Sequence, residues 1–188
     1  MKNDTELQEA ECLDQAVKGN GQAFAHIVEA YQVLVYNLCY RILGNSSEAE
    51  DAAQETFLRA YRGLRRYDSS KRFLNWILAI ASHYCIDRIR RRRIKTVSLE
   101  NNLLVKEPAF QGPEAVLTTM EQRKSVRDLI EILKPRDRAV VILRYWYEMS
   151  YEEIARTLDL TLNAVKSRLH RSRKQLAKQW LQHETLAV

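Results

Sequence analysis

The scarcity of glycine and proline is the feature of this sequence that most constrains its fold. Five glycines and three prolines occur in 188 residues, whereas leucine, alanine, arginine, glutamate and glutamine abound. Tight turns between strands depend on glycine and proline, and the abundant residues favour helices. The hydrophobic fraction of 46% is ordinary for a folded domain and argues against general disorder. We therefore predict an all-α protein with one sizeable hydrophobic core or two small ones.

Apolar residues recur at helical spacing in two groups of segments. The first group predicts helices at about residues 4–17, 22–43, 47–63 and 73–93. The second group predicts helices at about residues 113–133, 135–146, 150–158 and 162–181. Periodicity is lost at residues 94–112, which gain asparagine, proline and glycine. These patterns predict a four-helix domain at residues 1–93 and a second helical domain at residues 113–188, joined by a flexible linker at residues 94–112.

Local signals mark several helix ends. Gly44 follows the second helix, where a glycine commonly provides a C-terminal cap. Ser47-x-x-Glu50 and Ser150-x-x-Glu153 have the spacing of capping boxes, in which each side chain bonds a backbone N–H group. We expect each serine to begin the helix that follows it.

The positive charge of the chain, +6 in total, is concentrated in two blocks. From Arg88 to Lys95 six of eight residues are basic, and from Asn163 to Lys178 there are six lysines or arginines and no acidic residue. Because the two blocks are far apart in sequence, they indicate two separate contacts with a polyanion such as nucleic acid.

Residues 150–176 have the layout of a helix-turn-helix, in which a short helix supports a second helix that enters the major groove. Ala155 is small where the two helices must approach, and Thr161 can cap the second helix. Polar and basic residues spaced at i, +3, +4, +7, +8 and +11 share one face of that helix: Asn163, Lys166, Ser167, His170, Arg171 and Lys174. We assign this face to DNA. The alternative is a pair of helices whose basic face is merely solvated.

The third predicted helix carries a polar and acidic stripe. Its members are Asp51, Gln54, Glu55, Leu58 and Arg62. An acidic stripe in a basic protein indicates a protein partner rather than DNA, although an ordinary solvent-exposed helix face is the alternative.

The fourth predicted helix combines aromatic and amide side chains with the first basic block. Single-stranded nucleic acid is held by this combination, because aromatic rings stack on bases and cations follow the phosphates. The candidate residues are Asn75, Trp76, His83, Arg88, Arg91 and Arg92. Phe73 and Tyr84 on the same helix are better explained as core residues, and Trp76 fits either role.

Three segments in series resemble the extracytoplasmic-function (ECF) sigma factors of the sigma-70 superfamily: DAAQETFLRAY at residues 51–61, FLNWILAIASHYCIDRIRRRR at residues 73–93, and the helix-turn-helix. The resemblance implies a non-catalytic subunit that directs RNA polymerase to promoters. It implies that Asp51, Gln54, Glu55 and Leu58 dock on the clamp helices of the polymerase β′ subunit. It further implies that the fourth helix holds the melted −10 strand and that the last helix reads the −35 duplex.

The same resemblance implies further partners, and this sequence departs from the family pattern at two positions. The polymerase β flap and a cognate anti-sigma factor, often membrane-bound, are the expected partners besides the β′ clamp and promoter DNA. His83 stands where many members have asparagine, and His170 where they often have an aromatic residue. We therefore expect the base preferences at both promoter elements to differ from those of other members.

The sequence shows no sign of catalysis, metal binding or export. Cys12, Cys39 and Cys85 are odd in number and lack C-x-x-C spacing, so we expect three small buried residues. We see no phosphate-binding glycine loop, nucleophile elbow or metal-ligand cluster, and predict no catalytic residue, metal or cofactor. We also see no signal peptide and no membrane span, which predicts a cytoplasmic protein.

Two rival functions are compatible with parts of the sequence. A helix-turn-helix repressor or activator would bind duplex DNA without polymerase and use its first domain to sense a ligand or to dimerise. An adaptor that mimics a sigma factor in order to occupy an anti-sigma factor should lack DNA-reading residues, whereas this chain retains both basic blocks.

Overall fold

Helices form all the regular structure among the residues that the structure describes. The computed structural model describes the backbone of residues 2–98 and 126–186, and the side chains of residues 9–92 and 126–182. The first part contains α1 (Lys2–Val17), α2 (Gly21–Leu43), α3 (Ser46–Gly63), a 3-10 turn (Leu64–Arg66) and α4 (Phe73–Ser98). In the second part, helical residues 126–131 precede α5 (Pro135–Tyr145), α6 (Tyr151–Thr157) and α7 (Leu162–Leu186). The all-α fold is confirmed, and no helix in these ranges is long and apolar enough to cross a membrane.

A glycine ends α2, and an asparagine side chain caps the start of α3. Gly44 has a φ of 79° and donates its N–H group to the Tyr40 carbonyl oxygen at 2.8 Å, which confirms the predicted cap. The predicted capping box at Ser47 is wrong, because Asn45 caps α3 by accepting the Glu48 N–H group at 2.8 Å. Asparagine caps helices as well as serine does. Asn45, which comes before Ser47 in the chain, therefore provides the N-terminal cap of α3.

Small side chains let α3 approach the other helices of the first domain. α2 lies at the centre and packs against α1, α3 and α4. The buried face of α3 carries no side chain larger than threonine except Phe57; its other members are Ala49, Ala52, Ala53, Thr56 and Ala60. Leu34 is 39% exposed, although it recurs at helical spacing with the buried Ile27 and Leu38 of α2.

α4 continues past its predicted end at Arg93. No glycine or proline interrupts residues 94–98, and each further residue adds a backbone hydrogen bond to an existing helix. The first residues of the predicted linker are therefore helical. The rest of that linker, and the predicted helix start at Pro113, lie outside the described residues.

The helix-turn-helix is formed by α6 and α7, supported by α5. The apolar contacts between these helices come from Ile154, Leu158, Val165 and Leu169, which are buried, and from Leu160, which is half-buried. Pro135 occupies the first turn of α5, as predicted, where no hydrogen-bond donor is needed.

The two parts of the chain pack against each other. Arg138 of α5 is buried and donates to the Ile42 carbonyl oxygen of α2 at 2.6 Å. Tyr147, after α5, donates to the Leu34 carbonyl oxygen at 2.6 Å. The buried side chains of both parts form one continuous cluster. The sequence patterns predicted the two helical domains but not this contact.

Leucine at position 52 is expected to overpack the contact between α3 and its neighbours. Ala52 has no exposed surface, so Ala52→Leu should displace the adjacent helices and lower the free energy of unfolding by about 1–3 kcal/mol. Ala30→Leu makes the same change on the exposed face of α2 and should alter it by less than about 0.5 kcal/mol. Urea unfolding followed by circular dichroism measures both. Equal midpoints would contradict close packing at α3.

Candidate nucleic-acid interface

The predicted DNA face of α7 is open to solvent. All six predicted residues are exposed: Asn163, Lys166, Ser167, His170, Arg171 and Lys174. Val165, Leu169 and Ser172 on the opposite side of the helix are buried. The structure therefore brings the six side chains together on one face and leaves them accessible.

Two of the six cations between residues 163 and 178 are engaged within the domain. The Arg168 guanidinium donates to the Asp137 carboxylate at 2.5 Å, which ties α7 to α5. The Arg173 guanidinium donates to the Tyr145 hydroxyl at 2.7 Å and to the Tyr151 hydroxyl at 3.5 Å. These two arginines hold the helices together, so fewer cations are available to the predicted DNA face than the basic block suggested.

Both N-terminal caps predicted in the helix-turn-helix are present. Ser150 and Glu153 form the capping box that begins α6, with bonds of 3.1 and 2.8 Å. The Thr161 hydroxyl accepts the Ala164 N–H group at 3.2 Å and caps α7. Because Thr161 caps the first turn of α7, the direction of α7 relative to α6 is well defined.

The Glu153 carboxylate accepts hydrogen bonds from both domains, one from Ser150 and one from Asn75. Its pKa lies below the ordinary glutamate value, first because it accepts the Ser150 backbone N–H group and second because it accepts the Asn75 amide at 2.9 Å. A carboxylate with a lowered folded-state pKa stabilises the fold above its ordinary pKa, and this contribution is lost as the pH falls through the lowered value.

The acidic stripe of α3 faces away from the domain core. Asp51, Gln54 and Leu58 are exposed, and Leu58 keeps 51% of its surface. Each of the stripe's two acids contacts a nearby arginine: Asp51 lies 3.3 Å from Arg88, and Glu55 lies 2.7 Å from Arg59. The stripe therefore combines partly neutralised carboxylates with an exposed apolar side chain, as protein-binding surfaces do.

The basic part of α4 lies beside α3. Arg88 donates to the Tyr84 and Asp51 side chains and lies 3.7 Å from Glu48. Burial by itself lowers the Arg88 pKa, but the Tyr84 hydrogen bond and the Glu48 charge outweigh it and raise the pKa above its ordinary value. Arg91 is exposed, and the exposed Arg92 lies 3.6 Å from Glu48.

Trp76 packs mainly within an aromatic cluster. Its ring centroid lies 5.2 Å from that of Tyr67 and 5.5 Å from that of Phe73. The side chain is half-buried, so one part of it belongs to the core and another part reaches the surface. Phe73 is buried, as predicted.

Asn75 and His83 contact the second domain. The Asn75 amide donates to Glu153, and the His83 Nε2 atom lies 3.8 Å from the Asp159 carboxylate. Asp159 belongs to the turn between α6 and α7 and has a φ of 50°. Two residues predicted to hold DNA thus lie next to the helix-turn-helix, which sequence patterns could not indicate.

Sequence reasoning missed an apolar groove on the second domain. The groove lies between residues 126–130, α5 and the C-terminal half of α7, and its large exposed members are Tyr145, Trp146 and Trp180. The available signal was Tyr145, Trp146 and Trp180, three aromatic residues that the helix-turn-helix pattern leaves without a role. The groove lies roughly 100° around α7 from the DNA face.

The predicted burial of the cysteines is confirmed for Cys39 and Cys85, whereas Cys12 is half-buried. Hydrogen bonding to Cys39, followed by burial, raises the Cys85 pKa well above its ordinary value. Within residues 9–92 and 126–182, no cluster of metal-ligating side chains is present.

Most of the chain is similar to sigma factors in sequence. Residues 27–94 match the family model described as Sigma-70 region 2, and residues 123–176 match the model described as Sigma-70, region 4. The ECF RNA polymerase sigma factor SigW of Bacillus subtilis is 36% identical over 175 residues, which cover 89% of this chain and 94% of the relative. The ECF RNA polymerase sigma-E factor of Salmonella typhimurium is 30% identical over 179 residues, which cover 90% and 92%.

Solved structures of sigma factors share the fold. CnrH, in complex with the cytosolic domain of CnrY, superimposes with a TM-score of 0.67 at 23% identity, covering 92% of this chain and 97% of that chain. RpoE from Bartonella quintana, in complex with the anti-sigma factor NepR, gives 0.66 at 18% identity, covering 82% and 94%.

Loss of the Thr161 hydroxyl is expected to weaken the start of α7. Thr161→Ala should lower the free energy of unfolding by about 1 kcal/mol, because the Ala164 N–H group loses its acceptor. Thr161→Ser keeps the hydroxyl and should behave like the parent. Urea unfolding measures both variants, and identical midpoints for alanine and serine would contradict a capping role.

Proposed function

The chain belongs to the extracytoplasmic-function group of sigma-70 factors, which direct core RNA polymerase to promoters, and we propose that three of its surfaces divide this work. The α3 stripe docks on polymerase, α4 holds the melted −10 strand, and α7 reads the −35 duplex. The observation that carries the proposal is the face of α7, where six polar or basic side chains are exposed together.

The α3 stripe is proposed to bind the clamp helices of the polymerase β′ subunit. Its exposed Leu58 provides apolar contact area, and Asp51, Gln54 and Glu55 provide hydrogen-bond acceptors and charge. These side chains lie opposite the face of α3 that packs in the core. The stripe can therefore bind a partner without disturbing the fold.

The side of α4 that begins at Asn75 is proposed to hold the melted −10 strand. Trp76 offers part of an aromatic ring, and His83 offers a ring with two nitrogen atoms. Arg88, Arg91 and Arg92 offer positive charge farther along α4, where Arg88 and Arg92 lie beside α3. Stacking on aromatic rings together with cations along the backbone is how proteins bind single strands.

The exposed face of α7 is proposed to enter the major groove of the −35 element. Asn163, Lys166, Ser167, His170, Arg171 and Lys174 supply donors and acceptors for base edges and phosphates. The cap at Thr161 and the Arg168 bond to Asp137 hold this helix in place on its domain.

The apolar groove of the second domain is proposed as the site of the second polymerase contact, the β flap. Tyr145, Trp146 and Trp180 leave a large aromatic surface exposed, and such patches mark protein interfaces rather than DNA interfaces. Because the groove lies around the helix from the DNA face, polymerase and duplex can bind α7 together.

We further propose that the chain catalyses no reaction and acts in the cytoplasm, where polymerase and promoters are found. Chemistry then stays with the polymerase. A cognate anti-sigma factor, held at the membrane in some cases, would inhibit it by covering the polymerase and DNA surfaces.

Run-off transcription tests the function as a whole. Purified core RNA polymerase is incubated with linear genomic DNA fragments, with and without this protein, and the transcript start sites are mapped. Start sites that appear with the protein and share upstream −35 and −10 sequences are expected. Tight duplex binding without any binding to polymerase would favour a repressor or activator instead.

Leu58→Ala is expected to weaken binding to core polymerase about five- to tenfold without changing stability, because the side chain is half exposed. Val33→Ala removes an exposed apolar side chain from α2 and serves as the matched control. Fluorescence titration of labelled protein with core polymerase gives the affinities. Equal effects of the two substitutions would rule out Leu58 as a contact.

Lys166→Ala and Arg171→Ala are expected to weaken use of a mapped promoter while leaving the affinity for core polymerase unchanged. If either residue contacts a phosphate, the slope of log K against log salt for duplex binding should shrink by about 0.9. Lys18→Ala removes an exposed charge from the first domain and controls for net charge. A variant that initiates as well as the parent at a −35-dependent promoter would remove that residue from the interface.

A further inference from the structure

Two cysteine thiols meet in the core of the first domain. Cys39 lies on α2 and Cys85 lies on α4, and neither side chain has any exposed surface. The two thiols are hydrogen-bonded to each other. Residues that are far apart in the chain are thus brought together where α2 packs against α4. The surfaces proposed for polymerase and promoter DNA make no use of this pair.

The arrangement favours a bond between the two sulfur atoms. A disulfide requires these atoms to approach to about 2.05 Å. Thiols that share a hydrogen bond are already neighbours, so rotation of the two side chains about their Cα–Cβ bonds is the main movement required. Cys12 lies on α1 and is half-buried, apart from this contact.

A buried hydroxyl lies one helical turn from Cys85. Ser82 precedes Cys85 by three residues, which places both on the same side of α4. The Ser82 side chain has no exposed surface, and its Oγ atom has no hydrogen-bond partner among the described residues. Buried polar groups are normally paired, because an unpaired one destabilises the fold. This hydroxyl can therefore hydrogen-bond a small polar molecule beside the thiol pair.

The surroundings of the pair restrict which oxidant can reach it. The hydrogen bond to Cys39, followed by burial, raises the Cys85 pKa well above its ordinary value. Because thiolates rather than thiols attack oxidants, the pair reacts slowly at neutral pH. Local opening of the packed helices admits a small uncharged molecule more readily than a bulky one. Hydrogen peroxide is small and uncharged, and it can accept a hydrogen bond from Ser82.

We propose that Cys39 and Cys85 form a disulfide when the protein is exposed to hydrogen peroxide, that Ser82 binds the incoming peroxide, and that the bond ties α4 to α2. The sulfur atom of one cysteine attacks a peroxide oxygen, the O–O bond breaks, and a sulfenic acid and one water molecule form. The other thiol then attacks the sulfenic sulfur, the S–O bond breaks, and a second water molecule leaves. The two thiols lose two electrons and two protons, and one peroxide is reduced to two water molecules.

The bond stabilises the first domain and leaves its exposed faces unchanged. A cross-link between distant residues restricts the unfolded chain, and the melting temperature should rise by about 5–10 °C. Both cysteines lie in the core, whereas the α3 stripe is exposed. This modification does not depend on the function proposed above.

The full-length Cys12→Ser protein isolates the pair, because Cys39 and Cys85 are then its two remaining thiols. The folded protein is exposed to hydrogen peroxide, catalase stops the reaction at intervals, and the intact mass is measured. A loss of the mass of two hydrogen atoms is expected, and dithiothreitol should reverse it. A proteolytic digest without reductant should contain the cross-linked peptides. Thermal unfolding followed by circular dichroism should show the rise in melting temperature.

Three variants in the same background serve as tests and controls. Cys85→Ala cannot form the bond, so peroxide should not raise its melting temperature. Ser82→Ala should slow bond formation about two- to tenfold without lowering the melting temperature of the reduced protein, since the hydroxyl has no partner to lose. Ser172→Ala removes another buried serine hydroxyl without a partner, in α7, and should react like the parent.

Several outcomes contradict the proposal. Oxygen atoms added to Cys39 or Cys85 without a bond between them would show two independent thiols. Thiols that stay reduced at a peroxide dose that oxidises Cys12 in the unsubstituted protein would overturn the site. A bond that forms only after urea unfolds the chain, or that leaves the melting temperature unchanged, would exclude a tie between α2 and α4. Equal rates for Ser82→Ala and the parent would remove Ser82 from the reaction.

Discussion

The Arg138 guanidinium bonds carbonyl oxygens on both sides of the domain boundary. It donates to Ile42 at the end of α2 and to Glu131 at the end of helical residues 126–131, each at 2.6 Å. The last carbonyl groups of a helix have no partner within it, and a cation is the favoured group at that end. Arg138 therefore satisfies two helix ends together. This contact fixes the position of α5 relative to α2. It thereby also places the helix-turn-helix next to Asn75 and His83 of α4.

The structure distributes the charges of this basic protein according to their partners. Arg168 and Arg173 hold α7 against the tyrosines and the aspartate around it, while Lys166, Arg171 and Lys174 on the adjacent face remain exposed. In the first domain, Glu48 contacts Arg88 and Arg92 and partly neutralises the basic end of α4. The basic residues of α7 therefore serve two purposes: some bond neighbouring helices, and the others remain exposed on one face.

The carboxylate of Glu153 takes part both in the cap of its own helix and in a contact with the first domain. As a member of a capping box it begins α6, and its second oxygen reaches the α4 helix of the other domain. A group whose position is fixed by local hydrogen bonds can act on a distant surface at little entropic cost. The side of α4 proposed to hold DNA is in this way coupled to the orientation of the helix-turn-helix, and a ligand that binds the separated domains better shifts the equilibrium toward them.

Local patterns determined the helices, most of their ends and the composition of each face. The Ser150 capping box, the Thr161 cap and the exposed face of α7 follow from spacings of three or four residues, and the Gly44 cap follows from a glycine placed directly after a helical segment. The pattern failed where two local solutions compete, as at Asn45 and Ser47, and where another element decides burial, as at Leu34. Tertiary structure alone decided that Arg168 bonds α5, that Trp76 joins an aromatic cluster, and that Asn75 and His83 contact the second domain. Those outcomes depend on contacts between residues far apart in the chain, and the energy of such contacts has no counterpart in the periodicity of a single helix.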